Sequence, residues 1–428
     1  MSIEKVKFSN YRCFSFLELS FKRKINLLIG DNSSGKSTII QGLSSVLNSF
    51  FSGFSDENTR FFGLSKDDFT INATPTGLSN EKPITVEFEF LNTNSKLELH
   101  SKKGRTLQRP LYPILEKGNE LFNDLFDIAS SKQIMALPLI ASFSTSDIHK
   151  SRKTNVKSFL KYYHKPSFGY YECLQGDGFL SYWTRRLLVL KEANKGELEI
   201  EGVITAFKDA LGVDGCNILK DVEIRHNQGS VYYILEDGRE IETKGLSDGY
   251  RRLINIIIDI AFRSMILNMG IYGKDACKKT KGTVLIDELD LHLHPSLQTL
   301  VLKGLSNAFP ELQFVVTTHA PMIMTNIALE EENIIYKLDY LKDSKYYSAN
   351  VVELYGLDAN SIIESVLDTV PRSKEVDVRL EELFDLIDKE DYRAASKLLT
   401  EMQQQFGDGL PDLTKAETML NFLPGTND

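Results

Sequence analysis

The chain has 428 residues, 42% of them hydrophobic and 25% charged, which suits one large globular domain with extras, or two domains, around a core large enough for an enzyme. The net charge of −9 is uneven: residues 355–428 hold 16 acidic and 7 basic side chains while the preceding 354 balance at 43 against 43, so overall charge gives no argument for nucleic-acid binding, although a neutral head can still carry a basic face. Cys13, Cys173, Cys216 and Cys277 lie far apart with no C-x-x-C pair, the first five residues lack a signal-peptide pattern, and the apolar run Leu253–Phe262 is broken by Asn255 and Asp259; this excludes a disulfide scaffold and a membrane span and predicts reduced thiols in a cytoplasmic protein.

In chain order, residues 3–29 read as strands, and Ile25-Asn26-Leu27-Leu28-Ile29 is a short buried run ending at Gly30. A helix is predicted from Lys36 to about Phe50. Ile84, Val86, Phe88 and Phe90 alternate with polar residues, the pattern of a strand with one wet face. Residues 101–240 mix basic stretches, aromatics and helical patches such as Phe179–Ala193, and about 101–230 is expected to be a helical insertion. Val231–Leu235 and Glu240–Thr243 flank an Asp237-Gly238 turn and predict a hairpin. A long helix follows from Asp248 to about Asn268. Then come a strand at Thr283–Ile286, a helix at Pro295–Ala308 and a strand at Phe314–Thr318, the order of a parallel βαβ core. In the tail, Val376, Leu380, Leu383, Phe384 and Ile387 recur at helical spacing. Tyr392, Ala395, Leu398, Leu399 and Met402 repeat it, as do Leu413, Ala416, Met419, Leu420 and Leu423; three short amphipathic helices with acidic outer faces are expected.

Gly30-Asp31-Asn32-Ser33-Ser34-Gly35-Lys36-Ser37 matches G-x-x-x-x-G-K-[ST] at every fixed position. Such a loop turns its amide N–H groups inward around a phosphate, and the following helix adds its positive end. Gly30, Asn32, Ser33, Ser34, Gly35, Lys36, Ser37 and Thr38 are the predicted ATP-binding residues. Lys36 would reach the β- and γ-phosphates and the Ser37 hydroxyl a Mg²⁺ ion. Thr283–Ile286 ends in Asp287-Glu288. Acidic residues also follow buried strands simply because a loop begins, but beside a phosphate loop Asp287 is predicted to join the metal shell and Glu288 to activate the attacking water.

Gly245-Leu246-Ser247-Asp248-Gly249-Tyr250 opens the long helix and resembles the ABC signature L-S-G-G-Q, departing from it at Asp248 and Tyr250. Its physics is that of a helix end aimed at an anion, with Ser247 at the N-cap and Gly249 permitting close approach; an ordinary capped helix is the plain alternative. His319, ending Phe314–Thr318, resembles the switch histidine of the ABC superfamily, which senses the γ-phosphate; a structural strand-end histidine is the plain alternative, and its place after Asp287-Glu288 favours the switch. By the same resemblance, Asp290, His292 and His294 fall where the ABC superfamily carries its D-loop, which implies that they line a dimer seam; a metal reading of the two histidines lacks a Cys or third His near enough in sequence.

Phosphate loop, signature, carboxylate strand and histidine thus occur in the order of the ABC/SMC ATPases, and the resemblance implies two copies sandwiching ATP, each phosphate loop facing the other's Ser247. The lid glutamine of those enzymes is missing from Gly42 through Leu107, with Asp67 or Asp68 as substitutes. The expected fold is α/β: an ABC-type ATPase head over residues 1–345, with a mixed β-sheet lobe and parallel βαβ core, the insertion, and a helical C-terminal region at 346–428 for partner docking. His149 to Lys165 holds six Lys and Arg and no acidic residue, interleaved with Tyr162, Tyr163 and, just beyond, Phe168; it reads equally as a nucleic-acid contact over 149–168 or as a solvated basic face. Lys102, Lys103, Arg105 and Arg109 form a weaker second cluster.

Further stretches, Trp183–Glu192, Leu246–Asp259, Gly282–Met324 and Ala416–Leu423, resemble the PtuA-type ATPases of Septu and retron-associated anti-phage systems over most of the chain. That resemblance implies an HNH-type nuclease partner and, in retron versions, a reverse transcriptase with its RNA–DNA hybrid. About a hundred residues follow His319, short for an additional domain, and no strand-borne Glu with a later D-x-D is among them, so no nuclease is expected in this chain. The rival readings are a RecF/SMC-like DNA-repair ATPase and a scaffold that binds ATP without hydrolysing it.

Overall fold

The computed structural model describes residues 1–70, 73–74, 77–78, 83–127, 131–145, 165–176, 179–328, 330–341, 346–367, 373–407 and 409–422. The chain forms two compact units, Met1–Ala359 and Asn360–Asp428.

The first unit is built on a six-stranded sheet. Its strands lie in the order Tyr346–Val351, Ile334–Leu341, Ile25–Gly30, Leu312–Thr317, Gly282–Ile286 and Leu139–Phe143. The last five are mutually parallel, and only Tyr346–Val351 runs antiparallel, as an edge. The three central strands are buried at every residue, as expected for parallel strands covered on both faces. A second, antiparallel sheet orders Phe14–Ser20, Ile3–Tyr11, Ile84–Phe90 and Thr93–Leu99. Here burial alternates along Ile84–Phe90, so one face is wet. A three-stranded sheet of Leu219–Arg225, Ser230–Leu235 and Glu240–Glu242 contains the predicted hairpin.

Several sequence expectations need revision. Residues 101–230 do hold helices at Tyr112–Asn123, Leu180–Glu192 and Glu197–Leu211, but Leu139–Phe143 completes the parallel core and Leu219–Arg225 is also a strand. A five-residue, mostly apolar segment gives no period by which strand and helix can be told apart, and its pairing with Gly282–Ile286 decides. The head does not stop at 345: Tyr346–Val351 pairs with Ile334–Leu341, and the compact units divide at 359/360. The helix expected over Pro295–Ala308 is two, Pro295–Gln298 and Val301–Ala308, and the one from Asp248 continues to Tyr272. Among the described residues, that helix lies in the one stretch, 248–279, long and apolar enough to cross a membrane, but its apolar window is 83% buried inside the protein, which argues against membrane association.

The second unit contains the three tail helices, Lys374–Asp388, Tyr392–Phe406 and Pro411–Phe422, around Leu380, Leu383, Ile387, Ala395, Leu399, Met402, Leu413, Ala416 and Leu420. Met419, expected on the inner stripe, is 36% exposed, and Leu423 lies outside the described residues.

Candidate active site

The carboxyl ends of four adjacent parallel strands carry the chemistry: Gly30, Thr317, Ile286 and Phe143 each run directly into a loop at the same edge of the sheet. Loops at such an edge are free of ladder bonds and can converge on a ligand. The first makes the phosphate loop. Gly35 has φ +94°, and a Cβ there would lie 2.6 Å from the Phe14 ring, so glycine alone fits between the loop and the antiparallel sheet. The helix Lys36–Asn48 starts immediately after. Asp31, Asn32, Ser33 and Ser37 are exposed, Thr38 is half-buried and Ser34 is buried.

Lys36 is 6% exposed, and its Nζ donates to the carbonyls of Gly30 and Asp31, both at 2.7 Å, and to Ser34 Oγ at 3.4 Å. Burial pushes its pKa down, while Asp287, Asp31, Glu288 and Asp290 push it back up. The bonded acceptors are neutral, and an anionic phosphate oxygen is the stronger acceptor for an ammonium donor.

Opposite the lysine, Thr317 joins two strand ends. Its hydroxyl donates to Asp287 Oδ1 at 2.6 Å and accepts the Glu288 N–H at 2.7 Å. Glu288 sits at φ +51°, a left-handed conformation uncommon for a non-glycine residue. Among the described residues its half-buried carboxylate has no hydrogen-bond partner, so it can accept a proton from a bound water. Asp290 Oδ1 accepts from Thr318 Oγ1 at 2.6 Å and from the His319 N–H at 3.2 Å. Burial first, then the Lys36 cation, lower the His319 pKa against the pull of Asp290 and Glu288, leaving a neutral imidazole near pH 7. Ser37 and Asp287 supply hard oxygen donors of the kind Mg²⁺ prefers.

The signature turn is placed by contact with the carboxylate loop of the same chain. Ser247 is the N-cap of Asp248–Tyr272, and its exposed hydroxyl makes no cap bond to its own helix. Asp248 is also exposed, with its carboxylate 3.9 Å from Arg251, so this departure from the ABC pattern is partly neutralised. Gly249 is buried, and a Cβ there would lie 2.4 Å from the His292 carbonyl. His292 and His294 are exposed; His294 caps the helix Pro295–Gln298 by accepting the Ser296 N–H at 3.3 Å.

Three expectations around the site change. Asp68 is not a lid substitute: its Oδ1 is held by Arg12 at 2.8 Å and its Oδ2 by the Ser65 N–H at 2.8 Å, which leaves the exposed Asp67. A glutamine does stand near a strand end, but later in the chain. Gln175 is exposed and precedes Gly176, whose carbonyl accepts the Ser144 N–H at 3.1 Å just past Leu139–Phe143. The chain returns to that strand end at residues 173–176. Of the basic segment, 149–164 lies outside the described residues. Lys165 pairs with Glu57 at 2.6 Å, and Phe168 is 2% exposed and stacked on Tyr171, so it is a core residue with no face for a base.

Sequence reading also missed Arg252, 3% exposed. Its Nη2 donates to the Asp287 carbonyl at 2.6 Å and the Glu288 carbonyl at 3.1 Å, and its Nη1 to the Ser144 carbonyl at 3.3 Å. Its neighbours lie 35, 36 and 108 residues away in sequence, beyond any local pattern.

A family described as "AAA domain, putative AbiEii toxin, Type IV TA system" matches residues 25–325. The chain is similar to a retron Vc95 probable ATPase of Vibrio cholerae serotype O1 biovar El Tor, 25% identical over 87% of this chain and 81% of the relative. It is also similar to a Septu protein PtuA of Bacillus mycoides (strain KBAB4), 24% identical over 90% of this chain and 46% of the relative. Among solved structures, an Smc head bound to the C-terminal winged-helix domain of ScpA aligns with a TM-score of 0.48 and 15% identity, covering 83% of this chain and 99% of the other.

Proposed function

Because the chain belongs to this AAA-domain family and is an ATPase distantly related to the retron and Septu ATPases, we propose that two copies sandwich ATP and that the nucleotide state governs a nuclease partner in an anti-phage complex. The observation that carries the reading is the convergence of Lys36, Asp287, Glu288 and His319 at one sheet edge, while Ser247 of the same chain stays exposed. In this reading the loop amides from Gly30 to Thr38 and the Lys36 ammonium take the phosphates. Ser37 and Asp287 hold Mg²⁺, which when bound neutralises phosphate charge. Glu288 takes the proton of the attacking water, and the neutral His319 imidazole contacts the γ-phosphate. Ser247 and Gly249 of a second copy close the site by presenting a helix N-terminus.

The partner is an HNH-type nuclease, with a reverse transcriptase and its RNA–DNA hybrid in a retron setting. The acidic tail, including the three helices after residue 373, is the proposed dock, so deletion of residues 370–428 should abolish nuclease recruitment. The deciding experiment is co-purification of the tagged chain from its native operon, with mass spectrometry and nucleic-acid analysis. A small HNH protein supports the reading. Capture of gapped DNA or repair proteins in its place would assign the chain to the RecF/SMC-like repair ATPases, whose head uses the same motif order.

A further inference from the structure

The first two turns of Asp248–Tyr272 are joined to the carboxylate loop by two contacts on one helix face. Gly249 meets the His292 carbonyl with no room for a side chain. Three residues on, one turn away on the same face, Arg252 spans the ends of two parallel strands through the carbonyls of Asp287, Glu288 and Ser144. Glu288 is therefore gripped on both sides of its left-handed backbone: Thr317 Oγ1 holds its N–H and Arg252 its carbonyl. Such a conformation persists only where its surroundings over-determine it, and here the direction of the carboxylate follows from that grip. A guanidinium suits the task because its planar fork fixes several acceptors at once, whereas an ammonium is a point donor.

We propose that Arg252 is a positioning residue that couples the signature turn of a protomer to Glu288 of that same protomer. The inference rests on the reading that a second copy's nucleotide engages Ser247 and Gly249. When it does, the helix start is drawn toward that nucleotide. Arg252 then carries the displacement to the Asp287–Glu288 peptide, resetting the Glu288 carboxylate against the water in the chain's own site. Each site of a dimer thereby senses occupancy of the other, and turnover depends cooperatively on ATP.

The test uses the full-length chain with R252K and R252Q, beside S247R as a control that blocks the signature turn. Fluorescent-nucleotide binding and steady-state ATP hydrolysis are measured on each. The expected result is nucleotide affinity within about twofold of wild type, with kcat reduced by about 10- to 100-fold, the range a ~1 Å misplacement of a reacting group produces. The Hill coefficient for ATP falls toward 1 in both Arg252 variants, with R252K the less affected. Wild-type kcat and Hill coefficient in R252Q would overturn the inference while leaving the composite site intact. So would parallel losses of affinity, kcat and melting temperature, which mark a merely structural residue. If S247R hydrolyses ATP as wild type does, the composite-site reading itself falls, and this inference with it.

Discussion

Replacing Arg186 with methionine leaves the Glu199 carboxylate buried without its guanidinium. The two side chains are 0% and 1% exposed and meet as a fork, Nε to Oε1 at 2.6 Å and Nη2 to Oε2 at 3.1 Å. They link the helices Leu180–Glu192 and Glu197–Leu211, both of which pack on Asp248–Tyr272, so the pair sits behind the signature helix. Breaking a buried pair by removing one partner costs about 3–5 kcal/mol, while replacing both partners with well-packed apolar residues is neutral or stabilising by about 1–4 kcal/mol. With an m-value near ~3 kcal/mol/M in urea, R186M lowers the unfolding midpoint by roughly 1–1.7 M, and R186M/E199L recovers most of it. The assay is urea unfolding followed by tryptophan fluorescence. Trp183 is the only tryptophan, is 2% exposed and stacks on Phe262 with ring centroids 4.9 Å apart, one turn from Arg186 on the same helix. A midpoint shift in R186M below about 0.3 M, equivalent to ~1 kcal/mol at that m-value, would refute the argument, as would a double variant no better than the single.

Four further outcomes follow from the site. Glu288→Gln should keep nucleotide binding and lose about 10²–10⁴-fold in turnover, the share of a general base; unchanged turnover would favour the scaffold reading, in which ATP is bound but not hydrolysed. Lys36→Met should abolish nucleotide binding by calorimetry and raise the His319 pKa in an NMR titration, because it removes the cation that helps hold that pKa down. With its folded pKa below the ordinary histidine value, His319 contributes stability that is present above that value and lost as pH falls through the folded one; His319→Gln should flatten that part of a stability–pH curve. Gly249→Val should leave nucleotide binding to the phosphate loop intact but abolish turnover, since its Cβ would meet the His292 carbonyl, a backbone atom that cannot turn aside.

The phosphate loop, the Asp287-Glu288 strand end, the Ser247 helix start and His319 were legible in the sequence because each is a local device. A glycine that must adopt a left-handed turn, an apolar run ending in carboxylates and an N-cap before a periodic helix all declare themselves within about ten residues. The three tail helices were legible for the same reason, as repeating apolar stripes. The tertiary structure decided what depends on partners far away in sequence. Leu139–Phe143 is a core strand only because Gly282–Ile286 offers it a ladder, and Tyr346–Val351 joins the head by pairing with Ile334–Leu341 and packing Tyr347 on Phe14. Asp68 is occupied by an arginine 56 residues away, Phe168 is turned into the core by Trp183 and Tyr171, and Arg252 reaches the Glu288 carbonyl across 36 residues. Residue type and spacing specify which bonds a side chain can make; the register of the sheet and the packing of the helices select which of them it does make.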